Sequence, residues 1–374
     1  MRLNAMNRLR LVLALASLFT LGAAPVVPSS TDCAFGPATR PGEACAPFTI
    51  VPVRLRSSLS QSADEIATLS DGSLVVQTFR ALYRIHEDTI SPLWDGRTRL
   101  PRPQVFYWKA GSTPPPRMPT PAPYFGDVEL LGAFDDTAVF QFGSDWIYGV
   151  GSDGTVKLRF YLAGSDMSDR PTFAGRDRDG TLWFKAISKR SNRDTAYALY
   201  PNGTLSALPT TVGIAFQGST GSVYATNDSA LFELRSIPYV HARLVVTWDR
   251  LRFGNMNSLR RHQVGADGSL WSSSATSVVH RHLDGRFDEM RLRGPFMTIS
   301  HIPIPFDIRS SSDGSVWLAS PTKLVRITSD DRIEVMNVRD LGASELRTAS
   351  DGSVWLRTVG QSGTVIRHYS APTN

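Results

Sequence analysis

Cysteine is nearly missing from this 374-residue chain, which has only Cys33 and Cys45. Two thiols cannot staple a disulfide scaffold, and their separation is not that of a CxxC redox pair. Lysine is scarce as well, at five residues against 35 arginines. Those arginines are spread along the whole chain and form no basic patch, so no nucleic-acid partner is expected. Long apolar runs are absent beyond residues 11–21 (LVLALASLFTL), too short for a permanent membrane span. No GxSxG elbow, HExxH helix or P-loop occurs, which removes the commonest motif-borne hydrolase and nucleotide chemistries. With 41% hydrophobic and 20% charged residues, the chain has the composition of a large folded core, not of a disordered one.

What is present begins with residues 1–24. Arg2, Arg8 and Arg10 precede the apolar run, and Gly22-Ala23-Ala24 supplies small residues for a signal peptidase. A cleaved signal peptide is the reading, which sets the protein in the periplasm or outside the cell. Its removal lowers the formal charge of +6 by three. In an oxidising compartment Cys33 and Cys45 pair as a disulfide within a leader at 25–47, worth about 3 kcal/mol by loop-closure entropy.

An internal repeat fixes the architecture. Asp-Gly-Ser/Thr followed by an aliphatic and a bulky residue recurs as DGSLV (71–75), DGTLW (179–183), DGSLW (267–271), DGSVW (313–317) and DGSVW (351–355). DTAVF (136–140) and TGSVY (220–224) fill the gaps, giving spacings of 65, 43, 41, 47, 46 and 38 residues. Such lengths are those of propeller blades, and seven copies predict an all-β, seven-bladed propeller over residues 48–374. Asp-Gly supplies a tight hairpin turn, and the alternation after it reads as a half-buried strand. The fifth slot holds Val75, Phe140, Trp183, Tyr224, Trp271, Trp317 and Trp355, expected to fill the wedges between blades.

A second turn follows 17 residues after the first at Asp88, Asp153, Asp284 and Asp330, so each blade has four antiparallel strands. After DGSVWLRTVGQSGTVIRHYS the seventh blade lacks a fourth strand. FTIVPVRLR (48–56) is expected to supply it and close the ring, removing open edges.

On this blade repeat, across about residues 64–370, the chain resembles the streptogramin (virginiamycin B) lyase-like propellers and the periplasmic propellers of two-component sensors. The lyase resemblance implies metal-dependent elimination, with blades reading LWFTE. The slot of that glutamate here holds Thr78, Gly143, Ala186, Asn227, Ser274, Ser320 and Thr358. None is acidic, so the lyase metal site does not transfer to this chain.

Candidate ligand residues come from the central funnel, where innermost strands begin. Six residues before each repeat stand Glu65, Leu130, Phe173, Ile214, Arg261, Asp307 and Glu345. The charged members fall on four consecutive blades and the apolar members on the other three. Such a surface suits a small or peptidic ligand with a cationic end, or Ca²⁺ or Mg²⁺ at the three carboxylates. It also fits solvated strand ends or an ion pair with Arg261. His262, the polar member of the next slot, fits a general base, a metal ligand or a hydrogen bond to channel water. His280 and His282 share one strand face and lack a third zinc ligand in the sequence pattern, so a surface pair on an exposed strand is expected.

Residues 100–125 form a Pro-rich insertion carrying Tyr107, Trp108, Tyr124 and Phe125, a candidate partner-docking arm or lid. The functional expectation is a monomeric, exported binding module for a small molecule, glycan or protein. The alternative is a lyase-like, metal-dependent enzyme acting at the funnel.

Overall fold

Each Asp-Gly-Ser copy turns for a local reason. The Asp carboxylate accepts the backbone N–H of the Ser two residues on, at 2.9 Å in Asp71–Ser73, Asp267–Ser269, Asp313–Ser315 and Asp351–Ser353. The Gly between them takes φ from +80° to +88°, a region that side chains with a Cβ avoid. The hairpins so made assemble, in a computed structural model of the chain, into seven sheets. The structure describes residues 45–47, 52–53, 65–94 and 128–369, apart from 79–80, 88, 144–145, 163–164, 169, 214, 219, 228, 248–260, 274–276, 292–306, 320–322, 329–332, 338–342 and 361–362.

The protein is a seven-bladed β-propeller. Blades 1 to 5 span 65–94, 128–161, 172–211, 215–247 and 261–291, each with four antiparallel strands in chain order. Blade 6 spans 307–337 and blade 7 spans 343–369. The first strands of successive blades touch all round, and that of blade 7 touches that of blade 1, which closes the ring.

Blade 7 has three strands of its own, Ala343–Thr348, Val354–Gly360 and Gly363–Tyr369. Of the expected closing segment 48–56, Pro52–Val53 pairs antiparallel with the third of these, opposite Tyr369 and His368. The rest of that segment lies outside the described residues. The leader also does something the repeat gave no sign of. Cys45–Pro47 adds in parallel to Ile333–Asn337, as a fifth strand on blade 6. Residues 1–24, Cys33 and the insertion with Tyr107, Trp108, Tyr124 and Phe125 lie outside the described residues. Among the described residues no helix is long and apolar enough to cross a membrane.

The core is seven wedges, not one centre. Separate clusters of buried side chains fill the joints between blades 1 and 2, 2 and 3, and so on to blades 7 and 1. All seven residues of the bulky repeat slot are buried in them, Val75 and Tyr224 included. The innermost strands are sheet edges, and their backbone groups need partners. Side chains of the adjoining blade supply them. Thr68 Oγ1 donates to Thr348 O, Thr348 Oγ1 to Ser310 O and Ser310 Oγ to Val264 O, each at 3.0 Å. Gln263 Nε2 then donates to Gln217 O, and Gln217 Nε2 to Arg176 O, at 3.0 and 2.9 Å.

Candidate functional site

The innermost strands place the candidate funnel residues. Glu65, Arg261 and Asp307 each open such a strand, and Glu345 is the third residue of its own. In all four blades the residue stands opposite the same slot of the second strand: Gln77, Ser273, Ala319 and Arg357. The counted slot therefore holds in blades 5, 6, 7 and 1.

It slips in blades 2 and 3. A bulge between Leu130 and Gly132 puts Leu130 opposite Phe140, and another between Phe173 and Gly175 puts Phe173 opposite Phe184. The true equivalents are Val128, opposite Phe142, and Thr172, opposite Lys185. Leu130 is buried between blades 1 and 2, where its N–H reaches Gln77 Oε1 at 2.5 Å. The exposed residue beside it is Glu129, which counting from the repeat missed. The expected apolar half is thus corrected: Leu130 is core, Phe173 packs partly buried on Phe134 and Phe184, and Ile214 lies outside the described residues.

Electrostatics join the charged members into one arc. Partial desolvation of the carboxyl, and next the Glu345 carboxylate, hold Glu65 above its ordinary 4.5, with Glu129 adding to the effect and Arg357 and Arg347 opposing it. Burial lowers the Arg309 guanidinium; Asp307 opposes the shift, while Arg347 and Arg261 reinforce it. Blade order sets Glu129, Glu65, Glu345 with Arg347, Arg309 and Arg261 in sequence on the first strands of five adjoining blades.

Within the arc most charges are already matched. Asp307 is buried; its Oδ1 lies 3.0 Å from Arg309 Nη1, an ion pair without hydrogen-bond alignment. Its Oδ2 accepts the Leu346 N–H of blade 7 at 2.8 Å. Glu345 pairs with Arg347, and its Oε2 accepts Arg357 Nε at 2.8 Å. The arginine expected to neutralise the acids was Arg261, yet the partners are Arg309 and Arg347, two residues along the same strands, and Arg357 across the hairpin. Two-residue periodicity puts i and i+2 on one strand face, and that signal was available. Glu65 and Arg261 remain exposed at the two sides of the arc, with no ion pair among the described residues.

His262 is buried, and its Nδ1 lies 2.9 Å from Ser272 Oγ. Burial lowers its pKa to about 4, so the ring is neutral at pH 7. The histidine pair does acquire a third ligand. Asp288, from the next strand, stands opposite His280, and the ligand atoms of His280, His282 and Asp288 lie within 4.8 Å of one another. This group can hold a metal ion.

No protein-family model matches the chain, and no curated protein matches it. Solved structures do. The extracellular domain of a candidate hybrid two-component system from B. thetaiotaomicron aligns at 14% identity and TM-score 0.50, over 87% of this chain and 42% of that one. The extracellular domain of a candidate one-component system from the same organism aligns at 10% identity and TM-score 0.50, over 87% and 40%. BamB from Moraxella catarrhalis aligns at 12% identity and TM-score 0.46, over 93% and 97%. The chain spans less than half the length of the first two. The likeness is one of fold.

Proposed function

We propose that the protein is an exported binding module that takes a ligand with a cationic group at the funnel arc of blades 5, 6, 7, 1 and 2. The observation that carries this reading is Glu65, an exposed carboxylate that opens the first strand of blade 1, with Glu345 on the first strand of blade 7 and Glu129 on that of blade 2; their like charges raise its pKa further. An ammonium or guanidinium group placed there relieves that repulsion. Arg261, at the other side of the arc, offers a counter-charge for an acidic group on the same ligand, as in a peptide or an amino sugar. The arginine-led apolar run at residues 2–24 supports export, and in that compartment Cys33 and Cys45 form a disulfide. Ca²⁺ or Mg²⁺ at the funnel carboxylates is the lesser form of this reading, because Asp307 and Glu345 already face arginines. A lyase-like reaction is weaker again, since none of the seven family glutamate slots is acidic.

Short lysine-containing peptides, each compared with its acetylated form, test the proposal. The free amines are expected to bind and the acetylated forms not, and Glu65→Gln should weaken binding about tenfold. Equal binding by wild type and Glu65→Gln would remove the funnel from consideration. Competition by Ca²⁺ alone would turn the reading toward a metal.

A further inference from the structure

The outer hairpin of blade 5 differs from its six counterparts in a way that fold does not demand. The third-strand residue opposite the bulky repeat slot is Arg84, Tyr148, Ala198, Glu233, His280, Arg326 or His368 in blades 1 to 7. Across the next ladder these residues face Ser91, Arg159, Ser206, Arg243, Asp288, Glu334 and Val53. In blades 4 and 6 the slots are closed by opposite charges, Glu233 with Arg235 and Arg243, and Arg326 with Glu334. Blade 5 has two imidazoles and one carboxylate there. Among the described residues this is the one group of three or more His, Cys, Asp or Glu side chains with clustered ligand atoms.

We propose that His280, His282 and Asp288 form a transition-metal site of the Zn²⁺ type on the outer hairpin of blade 5, remote from the funnel. Register brings the three together: His280 and Asp288 are cross-strand partners, and His282 lies two residues along the same face. A tetrahedral Zn²⁺ keeps ligand atoms about 3.3 Å apart. The observed 4.8 Å limit therefore asks for an inward adjustment of about 1.5 Å at most, within reach of a rotamer tilt. Two neutral imidazoles and a carboxylate match the borderline softness of Zn²⁺ better than that of Ca²⁺ or Mg²⁺, which prefer oxygen alone.

The surroundings hold the first ligand in place. His280 is buried and stacks on Trp271 with ring centroids 3.8 Å apart and planes 12° from parallel. The Asp267 carboxylate accepts the Ser269 N–H and hydroxyl at 2.9 and 2.7 Å, which fixes the turn that leads into the strand of Trp271. His282 and Asp288, which share a hydrogen bond, are 17% and 20% exposed, so an ion can arrive from solvent and keep a water as fourth ligand. A competing cation, Arg286 Nη1, is 3.9 Å from Asp288 Oδ2 and half exposed, and a divalent ion displaces it at little cost.

The full chain, dialysed against a chelator, is titrated with Zn²⁺ by calorimetry and with Co²⁺ by visible absorbance. One equivalent is expected, with the Co²⁺ bands of a four-coordinate site. His282→Ala and Asp288→Asn are partly exposed changes that leave the His280–Trp271 stack in place, and each should weaken Zn²⁺ binding about a hundredfold. His368→Ala removes the matching stack on Trp355 in blade 7 and should leave binding unchanged. Failure of wild type to bind Zn²⁺ at micromolar concentration overturns the proposal. So does unaltered binding in both blade 5 variants whose melting shows them folded, or an equal loss in His368→Ala.

Discussion

Asp307 of blade 6 accepts the backbone N–H of Leu346 of blade 7 at 2.8 Å, so a funnel carboxylate is also a tie between blades. The same carboxylate balances Arg309 on its own strand. Removing it strands a buried N–H and a largely buried guanidinium together, and each loss is costly in low dielectric. Asp307→Ala should therefore lower stability by about 3 kcal/mol, and Asp307→Asn by less because the amide oxygen still accepts the N–H. Urea unfolding measures both. An Asp307→Ala protein as stable as wild type would mean that the tie contributes nothing.

His262 gives the protein an acid-sensitive joint. The unfolded ring titrates at 6.5 and the folded ring at about 4, because burial opposes its charge. Between those values the unfolded chain holds one proton more than the folded chain, so stability falls as pH falls through that window. The effect is complete near pH 4 and amounts to roughly 3 kcal/mol, judged from a shift of 6.5 to about 4. His368, also lowered by burial, acts in the same direction. The turn carboxylates Asp71, Asp267 and Asp313, lowered from 3.8, act only below this window. His262→Gln should flatten the profile of melting temperature between pH 6.5 and 4.5; an unchanged slope would assign the sensitivity elsewhere.

Trp355 carries the ring closure. It is 1% exposed, lies in the cluster shared by blades 7 and 1, and donates Nε1–H to Gly72 O at 3.1 Å. Trp355→Ala should cost about 4 kcal/mol, and Trp355→Phe about 1 to 2 kcal/mol, since the phenyl ring fills part of the wedge but cannot reach Gly72. Denaturant midpoints measure the two. Equal loss in both would show the hydrogen bond, not the packing, to be the closing element.

Blade number, strand order and the inter-blade core were legible because a local turn recurs seven times, four times as Asp-Gly-Ser and three times as a variant of it. A carboxylate capping the N–H two residues on needs no tertiary context. The funnel was legible only where the hairpin between first and second strands keeps its length. Gly132 and Gly175 bulge the first strands of blades 2 and 3, and the slot count broke there, hiding Glu129 and misplacing Leu130. The pairing of Asp307 with Arg309 was readable from two-residue spacing. The contribution of Asp288 to the histidine pair was not, since it depends on the register between two outer strands. Nor was the parallel addition of Cys45–Pro47 to blade 6, which joins segments nearly 300 residues apart and has no repeat to announce it.

Glu65 separates a site from a structural charge. A carboxyl whose folded pKa lies above 4.5 is destabilised by its charge at neutral pH, here by its surroundings and by Glu345. Its contribution to stability is present in full below pH 4.5 and is lost as pH rises through the folded value. Glu65→Gln removes the charge while keeping the shape, so the variant should melt higher than wild type at pH 7, and the gap should close as pH falls below 4.5. Glu345→Gln should behave in the opposite way at pH 7, because it strips Arg347 and Arg357 of their partner. A residue kept at a cost to the fold needs another reason to be there, which for Glu65 is the proposed cationic ligand. The two melting curves, taken at pH 7 and pH 4, decide the matter. If Glu65→Gln melts below wild type at pH 7, the carboxylate is part of the funnel's own ion-pair network and the argument for a ligand at that position fails.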